Sequence, residues 1–177
     1  MSKTITAYTD GSAVTKYPYL GGFGVYIKHG DKRLKIRKGF CFTKTGRMEL
    51  TAVLYCLRAI KDKNILIKIY SDSMYVVNTC NEWIENWHIL DYADKKNVDI
   101  LRLLREELNM FSKRPRIVHI KGHQDVENEH QRCNAIADEL ANYKTQKDYE
   151  MDGVPKDLTE WEKDDFITKG NKQYYIS

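Results

Sequence analysis

The stretch ILIKIYSDSM, residues 65–74, decides how this chain folds. Its first six residues form a near-continuous apolar run, which is typical of a strand covered on both faces at the centre of an α/β sheet. The run ends at an aspartate, Asp72, between two serines. Taken alone, Asp72 could be the N-cap of the next helix, because a short acidic side chain accepts hydrogen bonds from free backbone N–H groups. A functional role for it requires further acids at the same end of the sheet.

The patterns on either side of this strand predict a mixed α/β fold. Upstream, three segments alternate like antiparallel strands, and residues 47–61 then carry apolar side chains at helical spacing. Downstream come two helices, the strand RIVHIKG (116–122) and the helix NAIADELANY (134–143). We therefore expect a five-stranded mixed sheet, three antiparallel strands followed by two parallel ones, flanked by helices.

The chain divides by charge into a body and an extension. Residues 1–144 contain 24 Lys and Arg against 17 Asp and Glu, whereas residues 145–177 contain 5 against 8. We expect one domain over 1–144, because a single domain usually spans roughly 100 to 200 residues. The acidic C-terminal extension, 145–177, is expected to be docked or partly flexible. A basic body favours a polyanionic partner such as nucleic acid.

Composition excludes several other classes of protein. Apolar residues make up 42% of the 177 and charged residues 31%, as in ordinary globular proteins. No segment is as long and apolar as a membrane span, and MSKTITAY lacks the apolar stretch of a signal peptide. The four cysteines form no CxxC pair, which argues against a zinc knuckle and a disulfide framework. We expect a cytoplasmic monomer with reduced thiols and no membrane association.

Three acids lie at the ends of predicted elements, and Asp138 could be a fourth if the last helix packs across the same end of the sheet. Asp10 closes the first strand in YTDGS, Asp72 closes the fourth, Glu49 lies in the first turn of the helix begun by GRMEL, and Asp138 lies on the last helix. If the first and fourth strands are parallel neighbours, their carboxyl ends share one edge, which is where open α/β sheets bind ligands. Each acid alone could instead be a turn residue, a helix-terminus acid or an exposed helical acid. Those separate explanations give no reason for the acids to recur at one edge.

Clustered carboxylates repel one another unless a cation neutralises them. Oxygen ligands without cysteines favour Mg²⁺ or Mn²⁺, and a pair of such ions about 3.5–4 Å apart suits phosphodiester hydrolysis. The predicted chemistry is that of a metal-dependent nuclease.

The order of the motifs resembles that of the type 1 ribonuclease H family. The motifs are YTDGS (8–12), GRMEL (46–50), YSDS (70–73), IKGH (120–123) and the N-x-x-x-D of NAIADELA (134–141). Any one of them is weak, but five in the right order on the expected element types are specific. The resemblance covers about residues 4–144 and implies an RNase H-like fold.

The resemblance also implies a reaction and its residues. The family cuts the RNA strand of RNA/DNA hybrids with two Mg²⁺ ions, for which Mn²⁺ can substitute, and leaves 3′-hydroxyl and 5′-phosphate ends. Carried over by motif, the metal ligands are Asp10, Glu49, Asp72 and Asp138. Asp138 is chosen because Asn134 stands four residues before it, whereas no acid follows Asn128 at that spacing. His123 resembles the family's loop histidine, which moves protons near the scissile phosphate.

Contacts to the hybrid follow from the same resemblance. Trp83 resembles a tryptophan that packs on the DNA strand, although burial in the core is the ordinary fate of tryptophan. Backbone amides near the first motif can meet ribose hydroxyls, and the start of the first helix can meet phosphate. The predicted nucleic-acid-binding residues are Gly11, Ser12, Ala13, Thr45, Arg47 and Trp83. The chain lacks the strongly basic handle of many bacterial members, so its hybrid affinity and strand discrimination are open.

Two alternatives remain at this stage. A non-catalytic nucleic-acid-binding module could keep the fold, but it would be expected to have lost at least one acid of the quartet, and here all four are present. A DNA-cutting nuclease of the same superfamily is the other, and the contiguous YTDGS and RMEL motifs disfavour it. The sequence therefore favours a hydrolase of the ribonuclease H type.

Overall fold

A computed structural model describes residues 4–122 and 128–152. Within them lies one mixed sheet whose strands run in the order β5-β4-β1-β2-β3-β6. The strands are β1 (Thr4–Ala13), β2 (Gly21–His29), β3 (Lys32–Cys41), β4 (Leu66–Ser71), β5 (Arg116–His119) and β6 (Tyr149–Met151). The pairs β1–β2 and β2–β3 are antiparallel, and β1–β4 and β4–β5 are parallel. The predicted fold class is confirmed.

The strand count differs from the prediction, because β6 adds a sixth strand from the acidic extension. It pairs in parallel with the last three residues of β3, from Gly39 opposite Tyr149 to Cys41 opposite Met151. Three residues with one flanking acid on each side give no strand signal, so the strand exists only because the edge of β3 is there to pair with. The division at 144/145 stays a prediction, with residues 145–152 packed on the body.

Helices cover both faces of the sheet. They are α1 (Thr45–Ala59), α2 (Met74–Asn78), α3 (Ile84–Ile89), α4 (Val98–Met110) and α5 (Glu129–Ala141), with one π-helical turn, Thr79–Trp83, joining α2 to α3. The larger apolar core lies between the sheet and α1, and α4 packs behind α1. The opposite face carries a smaller cluster beneath α5, made of Tyr8, Tyr26, Tyr70, Cys133 and Ala137. In the described residues no helix is long and apolar enough to cross a membrane.

The apolar spacing predicted for α1 is confirmed by burial of its core-facing residues. Leu50, Val53, Leu54 and Leu57 are at most 1% exposed, and the central strand residue Ile69 is fully buried. Glu49 does not lie in the first turn, because α1 begins at Thr45 and places Glu49 one turn further on. All four cysteines are buried free thiols, as expected.

Candidate active site

The parallel pair β1–β4 places two aspartates side by side. Tyr8 lies opposite Tyr70 and Thr9 opposite Ser71, and each strand then continues into an aspartate, Asp10 or Asp72. Side chains two apart on a strand share a face of the sheet, so each aspartate lies on the same side of the sheet as the tyrosine two residues before it. The charge of Asp72 acts on the Asp10 carboxyl. The predicted meeting of these two acids at one edge of the sheet is what the register produces.

Close packing at Gly11 brings the first helix to the same edge. Asp10 is only 8% exposed, and the Gly11 N–H donates to its Oδ1 at 2.9 Å. A Cβ on Gly11 would overlap the backbone of Met48 and Glu49. Glycine is therefore required here, because β1 and α1 approach more closely than any side chain allows.

Ser73 links Glu49 to the strand that carries Asp72. Its hydroxyl donates to Glu49 Oε2 at 2.8 Å and accepts the Val76 N–H at 3.3 Å. The N-cap of α2 is thus Ser73 rather than Asp72, and the capping explanation for Asp72 is wrong. Burial raises the pKa of Glu49 above its usual range and Asp72 adds to this, while the Ser73 hydrogen bond opposes both.

The fourth acid reaches the cluster from the other face of the sheet. Gly24 lies opposite Asp10 on β2, and its missing side chain makes room for the backbone of α5 at Ala137 and Ala141. This contact places Asp138 beside Asp10, with which it shares a hydrogen bond. Asp138 is exposed, so it lies at the outer edge of the cluster.

The acids cannot all be ionised without a counter-charge. Burial, the charge of Asp72 and the hydrogen bond with Asp138 together raise the pKa of Asp10 to about 9. Two carboxyl groups can share a hydrogen bond only if one of them holds a proton. A divalent cation is the usual replacement for that proton, and the donors offered are all hard carboxylate oxygens, the set that Mg²⁺ and Mn²⁺ prefer.

The cluster is not a preassembled metal cage. Within residues 4–122 and 128–152, no three Asp, Glu, His or Cys side chains are placed to hold a metal ion as they stand. The acids approach in pairs instead: Asp10 with Asp72, Asp10 with Asp138, and Glu49 with Asp72. Small side-chain rotations of the exposed and half-buried members would be needed to bind an ion. The donor set fits Mg²⁺.

Gly122 and Asn134 lie near the acids, although neither was predicted to be a site residue. A Cβ on Gly122 would lie 2.7 Å from Asp72 Oδ2, so the backbone that follows β5 lies directly against this carboxylate. Asn134, one turn before Asp138, has a buried Oδ1 without a hydrogen-bond partner among the described residues. The KGH and N-x-x-x-D motifs contain these two residues and are the signals that could have identified them. The predicted proton carrier His123 lies outside the described residues.

Three stacked rings lie next to the two aspartates. Tyr8 stacks on Tyr70 with ring centroids 5.2 Å apart, and His130 of α5 stacks on Tyr70 at 4.3 Å. The Tyr8 hydroxyl and His130 Nδ1 are hydrogen-bonded at 2.6 Å. These contacts join the start of α5 to the two central strands, and so fix the helix that carries Asp138.

The residues predicted to bind nucleic acid lie in two regions, one at the end of β1 and the start of α1 and the other around Trp83. Thr45 Oγ1 donates to the Ala13 carbonyl at 3.3 Å, and Ser12 Oγ donates to the Ala141 carbonyl at 2.5 Å, so the first motif is joined to α1 and α5. Gly11 lies between Asp10 and these residues. Trp83 is 39% exposed and its ring lies 5.6 Å from that of Trp87, which is only half-buried.

The contacts of Arg47 differ from the predicted phosphate contact. Its guanidinium donates two hydrogen bonds to Asp99 at 2.8 and 2.6 Å, and its Nε donates to Asp152 at 2.8 Å. The Arg47 side chain is only 9% exposed. Because both carboxylates already occupy its donors, Arg47 is committed to joining α1, α4 and the end of β6 and is not presented to a phosphate in this conformation.

Comparison with known proteins places the chain among ribonucleases. The family model described as RNase H matches residues 2–146. A ribonuclease H from Chlorobium luteolum is 38% identical over 151 residues, which cover 83% of this chain and 99% of the relative. A ribonuclease HI from Helicobacter pylori is 38% identical over 136 residues, or 75% of this chain and 90% of the relative.

The fold likeness extends to solved structures of low sequence identity. A foamy viral protease-reverse transcriptase, solved in complex with an RNA/DNA hybrid, aligns with a TM-score of 0.64 at 19% identity. The alignment covers 77% of this chain and 19% of the viral one. At this identity the likeness concerns the fold alone.

Proposed function

The chain belongs to the ribonuclease H family and is a ribonuclease H enzyme, acting on RNA/DNA hybrids, and from this premise we propose how it cuts them. The proposed reaction is metal-dependent endonucleolytic hydrolysis of the RNA strand, which leaves 3′-hydroxyl and 5′-phosphate ends. The observation that supports it best is the convergence of Asp10, Glu49, Asp72 and Asp138 from four separate elements. We further propose a monomer that works in the cytoplasm.

The proposed metal ligands are those four carboxylates. Two Mg²⁺ ions, or Mn²⁺ in their place, would activate the attacking water and stabilise the leaving 3′ oxygen when bound. The protein's part is to hold the oxygens in position: the Gly11 N–H fixes the Asp10 carboxyl, and the Ser73 hydroxyl fixes that of Glu49. Asp138, at the exposed edge, can adjust as substrate enters.

Proton transfer is assigned to His123. A neutral imidazole accepts a proton near neutral pH and can return it to the leaving oxygen. His123 directly follows Gly122 in the sequence, and Gly122 lies against the Asp72 carboxylate. The assignment rests on that adjacency and on the KGH motif.

Hybrid binding is assigned to the surface between the first motif and Trp83. The backbone from Gly11 to Ala13 and the start of α1 at Thr45 would meet the RNA strand, and the exposed face of Trp83 would pack on the DNA strand. Sequence preference is expected to be weak, because these contacts address sugar, phosphate and ring faces rather than base edges.

The test uses end-labelled RNA/DNA, RNA/RNA and DNA/DNA duplexes of one sequence, each with Mg²⁺ or with chelator. Cleavage of the hybrid's RNA strand alone, only with Mg²⁺ and with 5′-phosphate on the downstream product, is the expected result. Cut DNA would assign the chain to the DNA-cutting nucleases, and unaltered duplexes throughout would assign it to the binding modules.

A further inference from the structure

The chain leaves the described fold at a fixed point. Asp152 Oδ2 accepts hydrogen bonds from Thr43 Oγ1 at 2.6 Å and from Arg47 Nε at 2.8 Å. The Asp152 N–H donates to the Cys41 carbonyl at 3.2 Å, and its side chain is only 10% exposed. The last described residue is therefore anchored by buried contacts.

This exit lies at the rim of a groove of about 510 Å³. Arg47, which binds Asp152, also lines the groove. We call this surface the aromatic groove; its other principal lining residues are Lys44, Tyr75, Trp83, Trp87, Lys95 and Lys96. Arg47 is paired with Asp99 and Asp152, but the other charged lining residues are three lysines against the single acid Asp94, so the groove favours a negatively charged occupant.

The groove also offers aromatic faces. Trp83 is among the few large apolar side chains that are exposed in the described residues, and the Trp87 ring lies beside it at a tilt of 39°. The Lys95 ammonium lies 4.8 Å from the centre of the Trp87 ring. A ligand that combines carboxylates with an aromatic ring would therefore find a cation and a ring face next to each other.

The chain carries such a segment just beyond the exit. Residues 157–165 read DLTEWEKDD, with five acids against one lysine and Trp161 at their centre. Only four residues, GVPK, separate this segment from Asp152. Four extended residues span at most ~14 Å, so the segment begins no further than that from the anchored Asp152.

We propose that residues 157–165 lie in the aromatic groove and compete there with nucleic acid, so that the acidic extension restrains hybrid binding by its own chain. The second half of this statement rests on the proposed function, since it takes the groove to be part of the hybrid-binding surface. The carboxylates would bind the lysines that otherwise bind phosphates, and Trp161 would stack where a base otherwise stacks. Because the segment is tethered, its effective concentration at the groove is on the order of millimolar, and weak contacts suffice for occupancy.

Cross-linking of the full chain tests the docking without any assay of activity. A carbodiimide joins a lysine amine to a carboxylate as an amide only where the two already touch, and peptide mass spectrometry identifies the pair. We expect links from Lys44, Lys95 or Lys96 to the acids of 157–165, which an RNA/DNA hybrid abolishes and an equal ionic strength of salt does not. Links only to other lysines, such as those of β3, or no links at all, would overturn the docking.

Kinetics with matched charge changes tests the competition. One full-length variant carries Glu160→Gln, Glu162→Gln and Asp164→Asn; its control carries Asp31→Asn, Asp62→Asn and Glu106→Gln, three exposed acids on other surfaces. Both change the net charge by the same amount. We expect KM for the hybrid to fall about 3- to 10-fold in the first and much less in the control, with kcat unchanged.

The outcomes separate the two proposals. An equal fall of KM in both variants, or none in either, would overturn the competition, since a docked segment must act through its place and not through overall charge. If the chain cuts no hybrid at all, the proposed function fails, whereas links to the groove lysines still show that the segment docks.

Discussion

Thr9 and Ser71 lie opposite each other across the parallel pair β1–β4, and each is followed by an aspartate. The sheet register therefore determines the acid cluster, because a shift of two residues would separate Asp10 from Asp72 by about 6–7 Å along the strands. Glu49 and Asp138 are then added from opposite faces, through close contacts at Gly11 and Gly24. The catalytic proposal depends on backbone packing as much as on the acids themselves.

Neutralising a central acid should lower the rate of cleavage without lowering the stability of the fold. Asp10→Asn and Asp72→Asn should each lower hybrid cleavage at least ~100-fold, because a ligand charge is lost at nearly constant volume. The melting temperature should stay the same or rise by up to ~4 °C, since folding no longer has to bury a carboxyl group against its acidic neighbours. Calorimetry and single-turnover cleavage measure the two effects. Glu106→Gln, on the exposed face of α4, is the control and should cleave normally.

A methyl group at Gly122 should displace Asp72 without removing it. The added Cβ would lie 2.7 Å from Asp72 Oδ2, too close for an unshifted carboxylate. We expect Gly122→Ala to lower kcat by about tenfold or more, as displaced ligands do. Gly30→Ala is the matched control, because its added Cβ meets no neighbour but its φ of +60° costs about 1 kcal/mol. Equal loss of activity in both variants would show that destabilisation, not Asp72, is responsible.

The two tryptophans of the aromatic groove should respond differently to truncation. Trp83 is exposed, so Trp83→Ala should leave the melting temperature unchanged and raise KM for the hybrid by about 5- to 100-fold, the worth of one stacked base. Trp87 packs against the main core, so Trp87→Ala should lower stability. Steady-state kinetics and thermal unfolding distinguish the two effects, and an unchanged KM in Trp83→Ala would remove that residue from the binding surface.

The ion pair between Arg47 and Asp99 predicts how the free energy of unfolding depends on pH. Hydrogen bonds from Arg47 and its positive charge hold the pKa of Asp99 below its usual range. A carboxyl whose pKa is depressed by folding contributes stability above its unfolded value, near 4, and loses it as the pH falls through the folded value. Asp99→Asn should therefore be less stable than the wild type at pH 7, by about 1 kcal/mol or less because Asp99 is partly exposed, and this gap should close by pH 2–3. Urea unfolding at several pH values measures it, and a constant gap would contradict the pairing.

The parts of the fold that the sequence predicted are those with strong local patterns. The buried run before Asp72 and the apolar spacing of α1 each indicated one element, and the order of the motifs indicated how they combine. The strand β6 could not be predicted, since three residues pair only because the edge of β3 is available. The partners of Arg47 were equally hidden, because Asp99 and Asp152 lie 52 and 105 residues away and meet it only in the folded chain.

The candidate site shows the same division. Motif spacing indicated the four acids, but it carried no information on Ser73, whose hydroxyl reaches Glu49 only after α1 and β4 have packed. It also mistook the start of α1, since Lys44 at the cap position has no side-chain capping bond that would mark the helix end. Local chemistry identifies which residues can act, and tertiary packing decides which of them meet.

The most direct measurement is the location of bound manganese. Crystals of the full chain in Mn²⁺, measured by anomalous diffraction, should show an ion between the Asp10 and Asp72 carboxylates, about 2.0–2.3 Å from an oxygen of each. A chain saturated with Mn²⁺ whose peaks all lie away from Asp10, Glu49 and Asp72 would contradict metal binding by the converging acids.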